Sequence, residues 1–145
     1  MLPSEAAGMM AEYAQDAVAM ARDKFQMEFD YSLESIEWLN IILQSQFEAM
    51  PTGWQLLYRF RPSKRKLRML SKTWGGYLGE VIRRQWGGQW VAPADGPFKG
   101  GVTLLVQGTM LSPVARAHRQ LANGAEASVS AYVASLIPVF SRPVE

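Results

Sequence analysis

The feature that most constrains the fold is a helical pattern that contains three glycines. From Ser63, which can cap a helix, to Trp86, apolar side chains recur every three or four residues. Gly75, Gly76 and Gly79 lie inside this predicted helix, where each costs about 1 kcal/mol relative to alanine. A compensating contact is therefore expected. The simplest is the close approach of another segment of this chain, and a binding partner is the alternative. The predicted core stripe consists of Leu67, Leu70, Trp74, Leu78, Val81 and Ile82, with Tyr77 at its border.

Two helices are predicted before this one. The first runs from a cap at Ser4 to about Phe25, and the second begins at Asp30 or Ser32 and ends before Pro51. The predicted apolar face of the second helix comprises Leu33, Ile36, Leu39, Leu43 and Phe47, widened by Trp38 and Ile42. Trp54 to Phe60 is interpreted as a short apolar connection to the third helix.

Strand periodicity replaces helical periodicity after residue 88. Short strands are predicted over 89–92, 102–106 and 109–111, with a hairpin turn at Gln107-Gly108. Ser112 and Pro113 can then start a helix that Gly124 ends. The order predicts an α+β fold with an N-terminal three-helix unit, a small antiparallel sheet and two C-terminal helices. The last helix is predicted from Glu126 to Leu136, with Pro138 as its end signal.

Length and composition limit the classes of protein that this chain can represent. Its 145 residues predict a single domain over 1–145, with an N-terminal helix within 1–28 and a loose tail over 137–145. No cysteine is present, which excludes disulfides and a cysteine nucleophile. The start has no basic region, and no apolar run approaches about 18 residues, so we expect a cytoplasmic protein without a membrane span.

Charge is unevenly distributed along the chain. Residues 1–50 contain nine acids and two bases, whereas the remainder contains four acids and thirteen bases. The helical spacing of Glu5, Glu12, Asp16 and Asp23 predicts a line of acids on the first helix. Two interpretations remain open: the opposite charges compensate each other within the domain, or they are displayed to an oppositely charged partner.

The bases are densest at the start of the glycine-containing helix. This basic run comprises Arg59, Arg61, Lys64, Arg65, Lys66, Arg68 and Lys72, with no acid among them. The helix dipole disfavours cations there, so we expect an acidic group to neutralise them. Either the acids of the first helix or an acidic partner could do so. The acidic first third of the chain would repel a polyanion, which disfavours nucleic acid as the partner.

Motifs for catalysis or metal binding are absent from the sequence. His118 is the single histidine, and no nucleophile-elbow, dinucleotide-binding or P-loop glycine pattern occurs. Asp30 is interpreted as a helix cap, and Glu80 as the i,i+4 partner of Arg84, although the two acids could instead form a catalytic pair. The five tryptophans are interpreted as core residues, with an exposed aromatic patch as the alternative.

The segment from Trp74 to Trp90 carries a resemblance to known proteins. It resembles small bacterial domains of unknown function in which a helix of the form G-x-Y-x-G-E-V-I-R-R precedes a strand that opens with G-G-x-W. Asp30, Ser32 and Pro113 fit the same layout, so the resemblance covers about residues 30–136 in arrangement. Because some of these domains occur beside secreted bacterial toxins, the resemblance implies an immunity role, and it implies no catalytic residue.

These observations together predict a non-enzymatic protein-binding module, namely an immunity protein that neutralises a cognate bacterial toxin by direct binding. A small enzyme or ligand-binding protein with a pocket near Asp30, Glu80 and Trp86 is the alternative, and a nucleic-acid-binding module is the third hypothesis. No cofactor or metal is expected, and the sequence leaves the partner's identity and the oligomeric state open. The candidate partner-binding residues are Glu12, Asp16, Glu34 and Glu37 for a basic toxin, and Lys64, Arg65, Lys66 and Arg68 for an acidic one.

Overall fold

The computed structural model describes residues 1–52, 55, 57, 62–96 and 100–141. Its helices are α1 (Pro3–Phe25), α2 (Ser35–Glu48), α3 (Lys64–Trp86), α4 (Pro113–Asn123) and α5 (Val129–Phe140). Its strands are β1 (Gln89–Val91), β2 (Thr103–Val106) and β3 (Thr109–Leu111). The predicted α+β class is therefore confirmed, with three helices before a small antiparallel sheet and two after it. Trp54, Arg59, Phe60 and Arg61 lie outside the described residues.

Helix α3 is the centre of the fold, with α1 packed on one side and α4 on another. Its glycines explain how the helices come so close. A Cβ at Gly75 would collide with the backbone of Val114 in α4, and one at Gly76 would lie 2.9 Å from the Tyr13 Cβ in α1. A Cβ at Gly79 would overlap the Trp90 ring. The prediction of close packing within the chain is thus confirmed.

The helix starts differ in how well the sequence predicts them. The Ser63 side chain accepts a hydrogen bond from the Lys66 amide, as predicted for a cap of α3. The prediction for α1 is wrong, because Leu2 is the N-cap and Pro3 occupies the first helical position, so Ser4 falls inside the first turn. The start of α2 is also later than predicted. Its N-cap is Glu34, although the Ser32 Oγ still accepts a hydrogen bond from the Ser35 amide.

The sheet has the strand order β1-β2-β3, and both neighbouring pairs are antiparallel. Trp90 pairs with Leu104, which in turn pairs with Leu111, so these three side chains share the buried face. The predicted hairpin turn is confirmed at Gln107 and Gly108, whose φ angles of 48° and 82° lie in the left-handed region that tight hairpins require.

The last helix corrects the sequence prediction at both ends. Residues 124–127 form a 3-10 helix, and α5 begins only after Ser128, whose hydroxyl accepts a hydrogen bond from the Ala131 amide. Pro138 was predicted to end the helix, but α5 continues to Phe140. Phe140 is buried with its ring centroid 5.6 Å from that of Trp86, and this contact offsets the hydrogen bond that proline cannot donate.

The tryptophans also divide into different environments. Trp74 and Trp90 are buried core residues, as predicted, and Trp86 is half-buried. The prediction for Trp38 is wrong, because its side chain is 40% exposed while the neighbouring Ile42 is buried. Only part of the apolar face of α2 therefore packs against the core. None of the helices in the described ranges has the length and apolar character needed to cross a membrane.

Candidate functional site

The predicted acidic binding residues lie on two separate parts of the surface. Glu12 and Asp16 are exposed on α1, which packs mainly on α3 and β1. Glu34 and Glu37 are exposed at the start of α2, which packs mainly on α4 and α5. All four carboxylates are accessible to a partner, but the two pairs belong to helices with different neighbours.

An apolar strip adjoins the acids of α2. Trp38 is 40% exposed and Ile41 is 54% exposed, one turn and two turns after Glu34 on the same side of the helix. Glu37 precedes Trp38, and its carboxylate accepts a hydrogen bond from the Ser130 hydroxyl, which fixes its position. We call these four residues, Glu34, Glu37, Trp38 and Ile41, the α2 stripe. The stripe combines a large exposed aromatic ring, an aliphatic side chain and two negative charges.

The predicted basic binding residues are all exposed on the first two turns of α3: Lys64, Arg65, Lys66 and Arg68. The acids of α1 were one of the two groups that the sequence offered for neutralising them, and an acidic partner was the other. Across the described ranges, however, salt bridges join only Arg22 to Asp23 and Arg83 to Glu80. The reason is orientation: α1 turns small and apolar residues such as Ala14 and Met10 toward α3, while its acids face solvent.

A cavity of about 720 Å³ lies beside this basic segment, between α1, α3, α4 and the start of β2. Its apolar lining comes from Met9, Met10, Tyr13, Val102 and Val114. Its basic lining comes from Arg68, Lys72 and Arg119, and the His118 imidazole lies beside them. None of the described residues that line it is acidic, so the cavity combines an apolar interior with an electropositive border.

Ser71 and His118 meet at this cavity but do not form an activated nucleophile. The Ser71 Oγ donates a hydrogen bond of 2.7 Å to the Leu67 carbonyl and lies 3.1 Å from the His118 Nδ1. Because the hydroxyl has one proton, the histidine Nδ1–H is the donor in the second contact. An activated serine would instead donate to the imidazole. The serine therefore orients the histidine ring, and the described residues contain no cluster of metal-binding side chains.

The three residues of the alternative pocket lie in three separate arrangements. Asp30 is exposed and accepts hydrogen bonds from the amide and hydroxyl of Ser32. Both hydrogen bonds lower the pKa of the Asp30 carboxyl, and the bond from the Ser32 hydroxyl has the larger effect. The Trp86 indole donates to the Ser141 hydroxyl at 2.9 Å. A smaller cavity of about 410 Å³ borders Glu80, but neither Asp30 nor Trp86 lines it.

Glu80 itself is buried in a hydrogen-bonded network. Arg83 Nε lies 2.6 Å from its Oε2 and the Trp90 indole lies 3.1 Å from the same oxygen. The predicted pairing with Arg84 is wrong, because the Arg84 guanidinium lies 3.5 Å from the centroid of the Tyr31 ring. Burial acts to raise the pKa of the Glu80 carboxyl, but hydrogen bonds from Arg83 and Trp90, with the charge of Arg83, hold it below its ordinary value.

The sequence did not reveal the cavity, although it contained part of the signal. Arg68 and Lys72 are four residues apart, and Met9 and Tyr13 have the same spacing, which places each pair on one face of its helix. Neither His118 nor Arg119 was among the predicted binding residues. Nothing local in the sequence indicates that these three helices meet around a cavity.

No protein-family model matches the chain, and neither a curated protein nor a solved structure matches it.

Proposed function

We propose that this chain is a non-enzymatic protein-binding module that neutralises a cognate bacterial toxin by direct contact. The binding surface in this proposal is the α2 stripe, and the partner surface is basic. The observation that supports the stripe most is the exposure of Trp38 and Ile41 one and two turns after Glu34, on the same helix as Glu37. Tryptophan is the residue type most enriched among those that dominate binding energy at protein interfaces.

The chemistry of the stripe determines which partner fits it. The Trp38 ring and the Ile41 side chain offer an apolar patch that loses solvent contact when a partner covers it. Glu34 and Glu37 place negative charge at the N-terminal end of the patch, and this charge steers a positively charged surface toward it. A toxin that acts on nucleic acid carries such a surface, because it must bind a polyanionic substrate. The immunity role itself derives from the resemblance of the segment from Trp74 to Trp90.

The test is a binding measurement between the purified chain and the toxin encoded beside its gene. We expect Trp38→Ala to raise the Kd by about 30-fold, which corresponds to the loss of an interface residue of about 2 kcal/mol. The matched control is Met69→Ala, a second exposed apolar residue, on α3, which should leave the Kd within about twofold. In a growth assay with the toxin, Trp38→Ala should no longer protect the cells, and Met69→Ala should still protect them.

Charge variants separate the two candidate surfaces. The double variant Glu34→Gln and Glu37→Gln should slow association, and the difference from the unmodified chain should shrink as salt screens the field. If Lys64→Gln with Arg65→Gln weakens binding and Trp38→Ala does not, the basic segment is the binding surface and the α2 stripe is not. If the neighbouring toxin does not bind at all, the immunity role is wrong.

A further inference from the structure

The cavity between α1, α3 and α4 has the properties of a ligand site for which the proposed function has no use. We propose that it binds a small amphipathic anion, whose apolar chain occupies the cavity and whose carboxylate or phosphate head is held by Arg68, Lys72 and Arg119. This inference is independent of the toxin-binding proposal, because the α2 stripe contributes no residue to the cavity.

The charge of the border indicates an anionic head group. Arg68, Lys72 and Arg119 all line the cavity and are exposed, and in the part of the chain that the structure describes none of them forms a salt bridge. Cations that share one opening repel each other, and an anion placed between them removes that repulsion. Guanidinium groups suit carboxylates and phosphates in particular, because they donate two parallel hydrogen bonds.

The interior indicates an apolar tail. Met10 is buried and Met9 and Tyr13 are half-buried, so α1 supplies a largely apolar wall. Methionine side chains are flexible and polarisable, and they adapt to ligands of different shape. The volume of about 720 Å³ falls in the range of small-molecule sites, about 300–1,000 Å³, which favours a small ligand over a flat macromolecular contact.

The opposite wall is held in place by contacts that leave the cavity open. The Val114 backbone is fixed against Gly75, and the hydrogen bond between Ser71 and His118 joins α3 to α4 directly at the cavity. Two helices that are tied together in this way keep Lys72 and Arg119 on a common border. A ligand that enters therefore requires little reorganisation of the chain, which favours binding.

Decanoate is a suitable probe, with decyl phosphate as the phosphate counterpart and 1-decanol as the uncharged control. We expect calorimetric titration of the purified chain to show saturable binding of at least one anion, at least about tenfold tighter than that of decanol, since charged hydrogen bonds contribute at this level. The stronger of the two anions identifies the head group. Methyl resonances of Met9 and Met10 should shift, while that of Met69, which does not line the cavity, should not.

Two pairs of variants locate the site. Arg68→Gln with Lys72→Gln should weaken anion binding by about tenfold or more, whereas the exposed pair Arg65→Gln with Lys66→Gln should change it by less than about twofold. Ala115→Trp places a large side chain at the cavity without changing charge and should abolish binding. Ala122→Trp, at another exposed position of α4, should not. All six positions are exposed, so the variants are expected to fold.

Several outcomes would overturn the inference. Equal weakening by both charge pairs would mean that the anion binds nonspecifically to the basic surface. Unchanged affinity in Ala115→Trp, or unshifted resonances of Met9 and Met10, would place the ligand elsewhere. Absence of binding by both anions, or binding only to vesicles of anionic lipid, would mean that the cavity is not a site for a small amphipathic anion.

Discussion

The indole of Trp90 donates a hydrogen bond of 3.1 Å to the Glu80 carboxylate and so ties the first strand of the sheet to the central helix α3. The approach is possible because Gly79 has no side chain, as a Cβ there would overlap the Trp90 ring. Gly79 thus allows the buried Glu80 carboxylate to accept a hydrogen bond from the neutral Trp90 indole in addition to those from Arg83. Such a carboxylate contributes to stability only while it is ionised.

The first prediction concerns acid stability. Because the pKa of Glu80 is lower in the folded protein than its ordinary value, the folded state binds a proton less readily than the unfolded state does. The stabilising contribution is complete above the ordinary glutamate pKa of about 4.3 and is lost as the pH falls through the folded value. We expect the free energy of unfolding, measured in urea, to decrease over this acidic range.

Glu80→Gln isolates this contribution. The variant should lose about 1–3 kcal/mol at neutral pH, since Arg83 and Trp90 then lack their anionic acceptor, and its difference from the unmodified chain should vanish in acid. Glu12→Gln, which alters an exposed carboxylate on α1, should keep the pH dependence of the unmodified chain. A constant difference between Glu80→Gln and the unmodified chain at all pH values would contradict the role assigned to Glu80.

The second prediction compares two glycines in helices. Gly75→Ala should destabilise the protein by about 1–3 kcal/mol, because the new methyl group would collide with the Val114 backbone and force α3 and α4 apart. Gly8→Ala should stabilise it by about 1 kcal/mol, because no described atom outside the neighbouring backbone of α1 lies within 4 Å of the added Cβ, and alanine favours the helix. Thermal unfolding of both variants would show whether each substitution raises or lowers the stability of the protein. Stabilisation by Gly75→Ala would show that α3 and α4 are not in close contact at this position.

Local signals account for the parts of the fold that the sequence predicted well. Ser63 caps α3 and Gln107-Gly108 forms the hairpin turn, because in each case the few residues involved make the deciding contacts themselves. The end of α5 could not be predicted in this way. Pro138 is a local stop signal, but the burial of Phe140 depends on Trp86, which lies far away in the sequence.

The candidate sites also differ in whether they depend on local signals or on contacts between distant parts of the chain. Exposure of the charged residues followed from helical periodicity, and the structure agrees for Glu12 and Lys66 among others. The cavity requires α1, α3 and α4 to meet, and His118 lies almost fifty positions from its neighbour Ser71. Periodicity also could not show that Trp38 lies beyond the edge of the contact between α2 and the core.

The third prediction concerns the buried hydroxyl of Tyr77. It accepts a hydrogen bond of 2.9 Å from the Tyr31 amide, and it donates to the Ser35 hydroxyl, whose own proton is bonded to the Ser32 carbonyl. Tyr77→Phe should lower the free energy of unfolding by about 1–3 kcal/mol, because the Tyr31 amide loses its acceptor. This amide belongs to a residue with a φ of 64°, so the loop before α2 depends on the bond.

Tyr13→Phe is the matched control for Tyr77→Phe. The Tyr13 hydroxyl has no hydrogen-bond partner among the described residues, and its loss should change stability by less than about 0.5 kcal/mol. Burial raises the pKa of Tyr77, so the folded state resists its ionisation and stability should fall as the pH rises above the ordinary tyrosine value of about 10. If Tyr77→Phe unfolds at the same urea concentration as the control, the network is not a source of stability.

The last prediction uses the proline inside α5. Pro138 is exposed and cannot donate to the Ala134 carbonyl, so Pro138→Ala restores a backbone hydrogen bond at a position outside the core. Proline also restricts the unfolded chain, an opposing effect of about 0.4–1 kcal/mol, so we expect a net stabilisation of about 1–2 kcal/mol in urea unfolding. Ala134→Pro is the control, because a proline one turn earlier interrupts the helix near its centre and should destabilise the protein strongly.

The amide of Ser141, which donates to the Ile137 carbonyl at 3.0 Å, should exchange more slowly in Pro138→Ala. Unchanged exchange and unchanged stability would mean that the helix ends at Pro138, as the sequence alone indicated.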